Sequence, residues 1–85
     1  MSLINAYALR TASAATGWQR LPHDAGVTRT AGPMRLSVYA EQHGYSVDVR
    51  DTRSPLLAGN AVEAWHNDPA EALALAQRAA AWFTD

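Results

Sequence analysis

Eighty-five residues, 48% of them hydrophobic, allow one small domain with a single modest core. A formal net charge of -1 and a pI near 6.2 give no general attraction to phosphate backbones or anionic lipid, so any nucleic-acid contact must be local. The chain has no cysteine, which excludes disulfides, thiol nucleophiles and thiolate metal sites, and all seven of its basic residues are Arg.

The pattern begins with a helix over about residues 2–16. Leu3, Ile4, Tyr7, Ala8, Ala12, Ala15 and then Trp18 recur at three- and four-residue steps, with Gly17 placed as a C-terminal cap. Ala8 to Ser13 also alternates weakly, which leaves an edge strand open there. Met1 to Ala15 has no basic n-region and Arg10 interrupts its apolar run, so no secretory signal is expected. No stretch approaches the roughly 18 consecutive apolar residues of a membrane span, and a cytoplasmic protein of a bacterium or of a phage-infected cell is expected.

Residues 17–33 carry Pro22, Gly26, Gly32 and Pro33 without a sustained period and are expected to form a connection, with a short extended piece at Val27 to Thr30. His23-Asp24 in its middle reads as turn chemistry. Met34 to Glu41 alternates cleanly, with Met34, Leu36, Val38 and Ala40 on one side and Arg35, Ser37, Tyr39 and Glu41 on the other. Tyr45 to Asp51 alternates again, and a two-residue His43-Gly44 turn would join the two as a hairpin, with Gly44 supplying positive φ. That turn pairs Ala40 with Val47, Val38 with Val49, and Arg35 with Thr52. A loop containing Arg53, Ser54, Pro55, Leu56 and Leu57 leads to a third strand over about 60–66.

The final helix, over about 69–83, is the best specified element. Asp68 is a good N-cap, Pro69 fits the first helical position, and Glu71 stands where the reciprocal half of a capping box belongs. Ala72, Leu73, Ala76, Ala79, Ala80 and Phe83 share one face, while Leu75 and Trp82 lie at its edge. The expected architecture is α+β, a single α-β-β-β-α domain in which the last helix covers a three-stranded antiparallel meander.

Catalytic chemistry finds no support in the pattern. His23, His43 and His66 lack metal-ligand spacing, and no nucleophile elbow, phosphate-binding glycine loop or inward carboxylate pair is present. No enzyme, cofactor or metal is therefore expected. Tyr39 and Trp65 on the outward side of the sheet, the Leu75/Trp82 ridge and Leu56-Leu57 have the composition of a protein-binding surface. Arg29, Arg35, Arg50 and Arg53 are expected to gather at the open end of the hairpin as an anion or nucleic-acid contact, against which stands an ordinary surface balanced by Asp48 and Asp51. The pattern also allows a homodimer through the third strand's edge or the Trp82 ridge.

The order of elements resembles the double-stranded-RNA-binding domain, and Met34 to Phe83 resembles the HicB-type antitoxin domain, with Asp68-Pro69-Ala70-Glu71-Ala72-Leu73 similar to its helix opening. In the RNA-binding family a lysine cluster opens the last helix; here those positions hold Asp68 and Glu71, which repel phosphate, so that likeness implies the fold and not RNA binding. Small phage-encoded inhibitors, anti-CRISPR proteins among them, are similar in type. The expectation is thus a non-enzymatic module that occupies the surface of a larger protein, with an antitoxin-like regulator or a nucleic-acid-binding domain as alternatives.

Overall fold

Alternation over Met34–Ala40 and again over Tyr45–Asp51 builds the centre of a five-stranded antiparallel sheet with two helices on one face. The computed structural model describes residues 3–14, 17–21, 25–53 and 62–84, with residues 83 and 84 described by backbone only. Its elements are α1 (Leu3–Ser13), β1 (Gln19–Arg20), β2 (Gly26–Ala31), β3 (Met34–Ala40), β4 (Tyr45–Asp51), β5 (Val62–His66) and α2 (Pro69–Thr84). The strands lie in chain order, each antiparallel to the next. The domain is α+β with a helix at each end of the chain.

The expected three-stranded meander is thus extended by two strands drawn from the expected connection. Val27, Thr28 and Thr30 suit a strand because β-branched side chains fit a pleated surface. Ala31 stands opposite Met34, so Gly32 and Pro33 form the whole of a two-residue turn. Gly32 takes φ 58 at the first central position, which glycine adopts without a Cβ penalty, and Pro33 follows with its fixed negative φ. The turn is tied to the end of β4, since Thr52 donates both its N–H and its hydroxyl to the Pro33 carbonyl at 2.8 and 2.6 Å.

The β3–β4 register differs from the expected one by two residues. Ala40 faces Tyr45, Val38 faces Val47 and Leu36 faces Val49, so four residues, 41–44, form the loop. The Glu41 N–H closes it on the Gly44 carbonyl at 2.8 Å. Gly44 does not have positive φ. Its requirement is room: a Cβ there would sit 2.7 Å from Trp65 Cζ2 and 2.9 Å from the His66 carbonyl oxygen.

Both helices cover the same face. α2 packs on β3, β4 and β5 and against α1, while α1 packs on β2 and β3. Ala72, Leu73, Ala76 and Ala80 of α2 are buried as its spacing predicts, over a floor of Met34, Leu36, Val38, Val47 and Val49. Small side chains let this helix approach the sheet closely. The Phe83 side chain lies outside the described residues. Asp68 caps α2 by accepting the Glu71 N–H at 2.9 Å, but the reciprocal bond expected from Glu71 is replaced: the Asp68 N–H donates to His66 Nδ1 at 3.0 Å.

α1 buries the smaller part of its apolar set together with Leu9. Leu9 and Ser13 are buried and Ala6 and Ala12 pack against the core, whereas Leu3, Ile4 and Tyr7 are 79%, 80% and 70% exposed. The small residues win the contact because they let α1 lie close to both the sheet and α2. Its orientation is further set by Asn5, whose amide donates to the Glu41 carbonyl at 2.8 Å.

Candidate functional site

With both helices on one side, the opposite face of the sheet has no element packed on it among the described residues. The register arranges its outward side chains in rows. One row holds Thr30, Arg35 and Arg50; the next holds Gln19, Thr28, Ser37, Asp48 and Glu63; the third runs Gly26, Tyr39, Ser46, Trp65. Arginines therefore lie at one end, carboxylates and hydroxyls in the middle, and aromatics at the other end.

The aromatic row is built on glycines. Tyr39 lies over Gly26, where an added Cβ would fall 2.8 Å from Tyr39 Cδ1 and 2.9 Å from the Val38 carbonyl oxygen. Trp65 lies over Gly44 in the same way. Backbone without a side chain gives each ring a flat seat, a pairing known to support glycine in sheets. Trp65 is 52% exposed on this seat, as expected for an outward residue, while Tyr39 is half-buried.

The charged rows are unusual for a solvent-facing sheet. Arg35 stands directly opposite Arg50, and Asp48 directly opposite Glu63. Like charges in directly opposed positions are destabilising. Among the described residues the compensation runs along β4, where Arg50 Nε donates to Asp48 Oδ2 at 3.0 Å. Among the described residues no carboxylate pairs with Arg35 and no cation with Glu63. Asp48 Oδ1 is buried without a hydrogen-bond partner. Arg35, Ser37, Tyr39, Asp48 and Arg50 together line a hollow of about 310 Å³.

The expected gathering of four arginines is therefore half right. Arg35 and Arg50 meet, but on the sheet face and not at an open end. Arg29 stands opposite Leu36 and lines a cleft with Gln77 and Ala80 of α2, on the helix-covered side. Arg53 is held by Asp51, with Nε to Oδ1 at 3.0 Å and Nη2 to Oδ2 at 2.6 Å. Hydrogen bonds from the Arg53 side chain and then from its backbone N–H bring the Asp51 carboxyl down to about 2. The two-residue slip in register explains the difference, because it moves Arg35 from Thr52 to Arg50.

Other candidates separate in space. Trp82 is 75% exposed on α2, and Leu75, two turns earlier on the same helix, is half-buried against the core. Leu56, Leu57, Ser54, His23 and Asp24 lie outside the described residues. His43 is exposed in the β3–β4 loop. No three metal-ligating side chains come together among the described residues, and none of their helices is long and apolar enough to cross a membrane.

Two features escaped the sequence reading. The exposure of Leu3, Ile4 and Tyr7 is not legible in their spacing, which suits a buried face equally well. The opposed like charges depend on register, and only counting the 41–44 loop as four residues would have revealed Arg35 against Arg50. Comparison with protein-family models, with curated proteins and with solved structures returned no match.

Proposed function

We propose that this chain is a non-catalytic binding module that engages a larger protein through the open face of its sheet. The observation that carries the reading is the pair of opposed like charges, Arg35 with Arg50 and Asp48 with Glu63, set beside an exposed Trp65. A face meant only for water gains from opposite charges in register, whereas a face that meets a complementary partner keeps its charges for that partner. Exposed Trp beside Tyr and Arg has hot-spot composition. A narrower form of this reading is a phage or mobile-element inhibitor, anti-CRISPR-like in type, acting in the cytoplasm by occupying its target; a HicB-like antitoxin would use the same kind of surface.

A nucleic-acid reading draws on the same residues, since Trp65 and Tyr39 offer stacking platforms and Arg35 and Arg50 offer cations. Asp48 and Glu63 lie between those two groups and oppose a continuous phosphate chain, which places it second.

Affinity capture from a bacterial lysate, with and without nuclease, tests the choice. Trp65→Ala is expected to reduce recovery of a nuclease-resistant protein by about fivefold or more, the equivalent of 1 kcal/mol or greater. Trp82→Ala, on the helical side, should leave recovery unchanged. Loss of capture with Trp82→Ala alone, or recovery that vanishes with nuclease, contradicts the proposal.

A further inference from the structure

Resting on the open face as the binding surface, we infer that its occupant is an extended protein segment with a fixed order of side chains: an acidic residue, a basic residue two positions on, and an aromatic residue two positions beyond that. The order follows from the rows. Arg35 and Arg50 form one anchor, Asp48 and Glu63 the next, and Tyr39 with Trp65 the third. Successive rows are two residues apart on each strand, about 7 Å, and the outer rows about 13 Å apart. An extended segment has the same rise, so its alternate side chains meet successive rows.

Each anchor is chemically selective. Arg50 spends Nε on Asp48, which fixes the guanidinium, and its terminal nitrogens have no partner among the described residues. Arg35 across from it is likewise unpaired, so two guanidinium groups border one hollow and a single carboxylate relieves their repulsion. Glu63 is exposed, has no cation paired with it among the described residues and lies opposite Asp48, so a Lys or Arg on the segment relieves that pair too. The third anchor presents the exposed Trp65 ring, which takes an aromatic group by offset or edge contact.

Two synthetic peptides of identical composition test this: acetyl-Thr-Glu-Thr-Lys-Thr-Trp-Thr-amide, and its counterpart with Glu and Lys exchanged. Both are titrated into the full chain labelled with nitrogen-15, following the Arg Nε and Trp Nε1 resonances. The first peptide is expected to shift Arg35, Arg50 and Trp65 together and to bind about fivefold more tightly than the exchanged one, the difference that a well-placed surface ion pair gives. Arg35→Gln should abolish that preference while leaving the Trp65 shift in place. Equal binding of the two peptides, tighter binding of the exchanged one, no shift at the solubility limit, or tighter binding of inorganic phosphate or a thymidine octanucleotide each overturns the inference. A peptide result of that kind alongside a capture that still depends on Trp65 would remove the segment order and leave the open-face reading standing. Loss of both removes both.

Discussion

Leu9→Ala is expected to cost about 2–5 kcal/mol of folding free energy, while Ile4→Ala on the same helix costs less than about 0.5 kcal/mol. Leu9 is the one large side chain that α1 buries among the described residues, at 1% exposure, whereas Ile4 is 80% exposed. Removing it deletes the transfer energy of its methyl groups and leaves a void between α1, β2 and β3. For a domain of this size the total stability is roughly 4–13 kcal/mol, so the loss is a large fraction of the whole. The melting temperature should fall by roughly 4–8 °C for each kcal/mol lost. Urea unfolding of the two variants gives the comparison, with the slope retained in both if only the native state is affected. The reverse order, a costly Ile4→Ala and a silent Leu9→Ala, would mean that α1 sits on its other face.

Gly44→Ala is expected to destabilise by about 1–3 kcal/mol, the usual scale for overpacking. Two effects compete. Because Gly44 is not in the left-handed region, alanine would restrict the unfolded chain and add about 0.4–1 kcal/mol of stability. Against this, the new Cβ meets the His66 carbonyl at 2.9 Å and the Trp65 ring at 2.7 Å. The ring can swing away, but the carbonyl belongs to β5 backbone, and moving it disturbs the pairing of Tyr45 with His66. Strain therefore outweighs the entropic gain. Thermal unfolding reads the loss, and a changed Trp65 fluorescence maximum reads the displaced ring. A more stable variant with unaltered fluorescence would contradict the close seat of Trp65 on Gly44.

These residues also mark how far the sequence could be read. The start and buried face of α2 were legible because their signals are local: Asp68, Pro69 and the Ala72 to Ala80 spacing fix both without reference to any other element, whereas the His66 contact that replaces the expected Glu71 bond comes from β5. β3 and β4 were legible as strands for the same reason, since alternation is a property of one segment. Their register was not, because it turns on whether Gly44 serves a positive φ or makes room for Trp65, a residue 21 positions away. β2 was hidden by its punctuation: Gly26, Gly32 and Pro33 suggested irregular chain, although a Gly-Pro pair between Thr30 and Met34 is compatible with a tight hairpin. α1 was legible as a helix, but its buried face was not, because Leu3, Ile4 and Tyr7 are the larger apolar residues while close packing selects the smaller ones around Leu9. Of the site, Tyr39 and Trp65 were legible from alternation alone. The opposed charges were not, because each depends on a neighbouring strand.

The open face as the partner's seat is tested most directly by site-specific photo-crosslinking, with p-benzoylphenylalanine placed in turn at Glu63 on the sheet face and at Arg78 on the exposed side of α2. Both positions are exposed, so neither substitution should disturb folding. After irradiation in a bacterial lysate treated with nuclease, a discrete protein adduct is expected from position 63 and none from position 78. An adduct from position 78 alone would move the interface to the helical layer and contradict the role assigned to Arg35, Arg50 and Trp65.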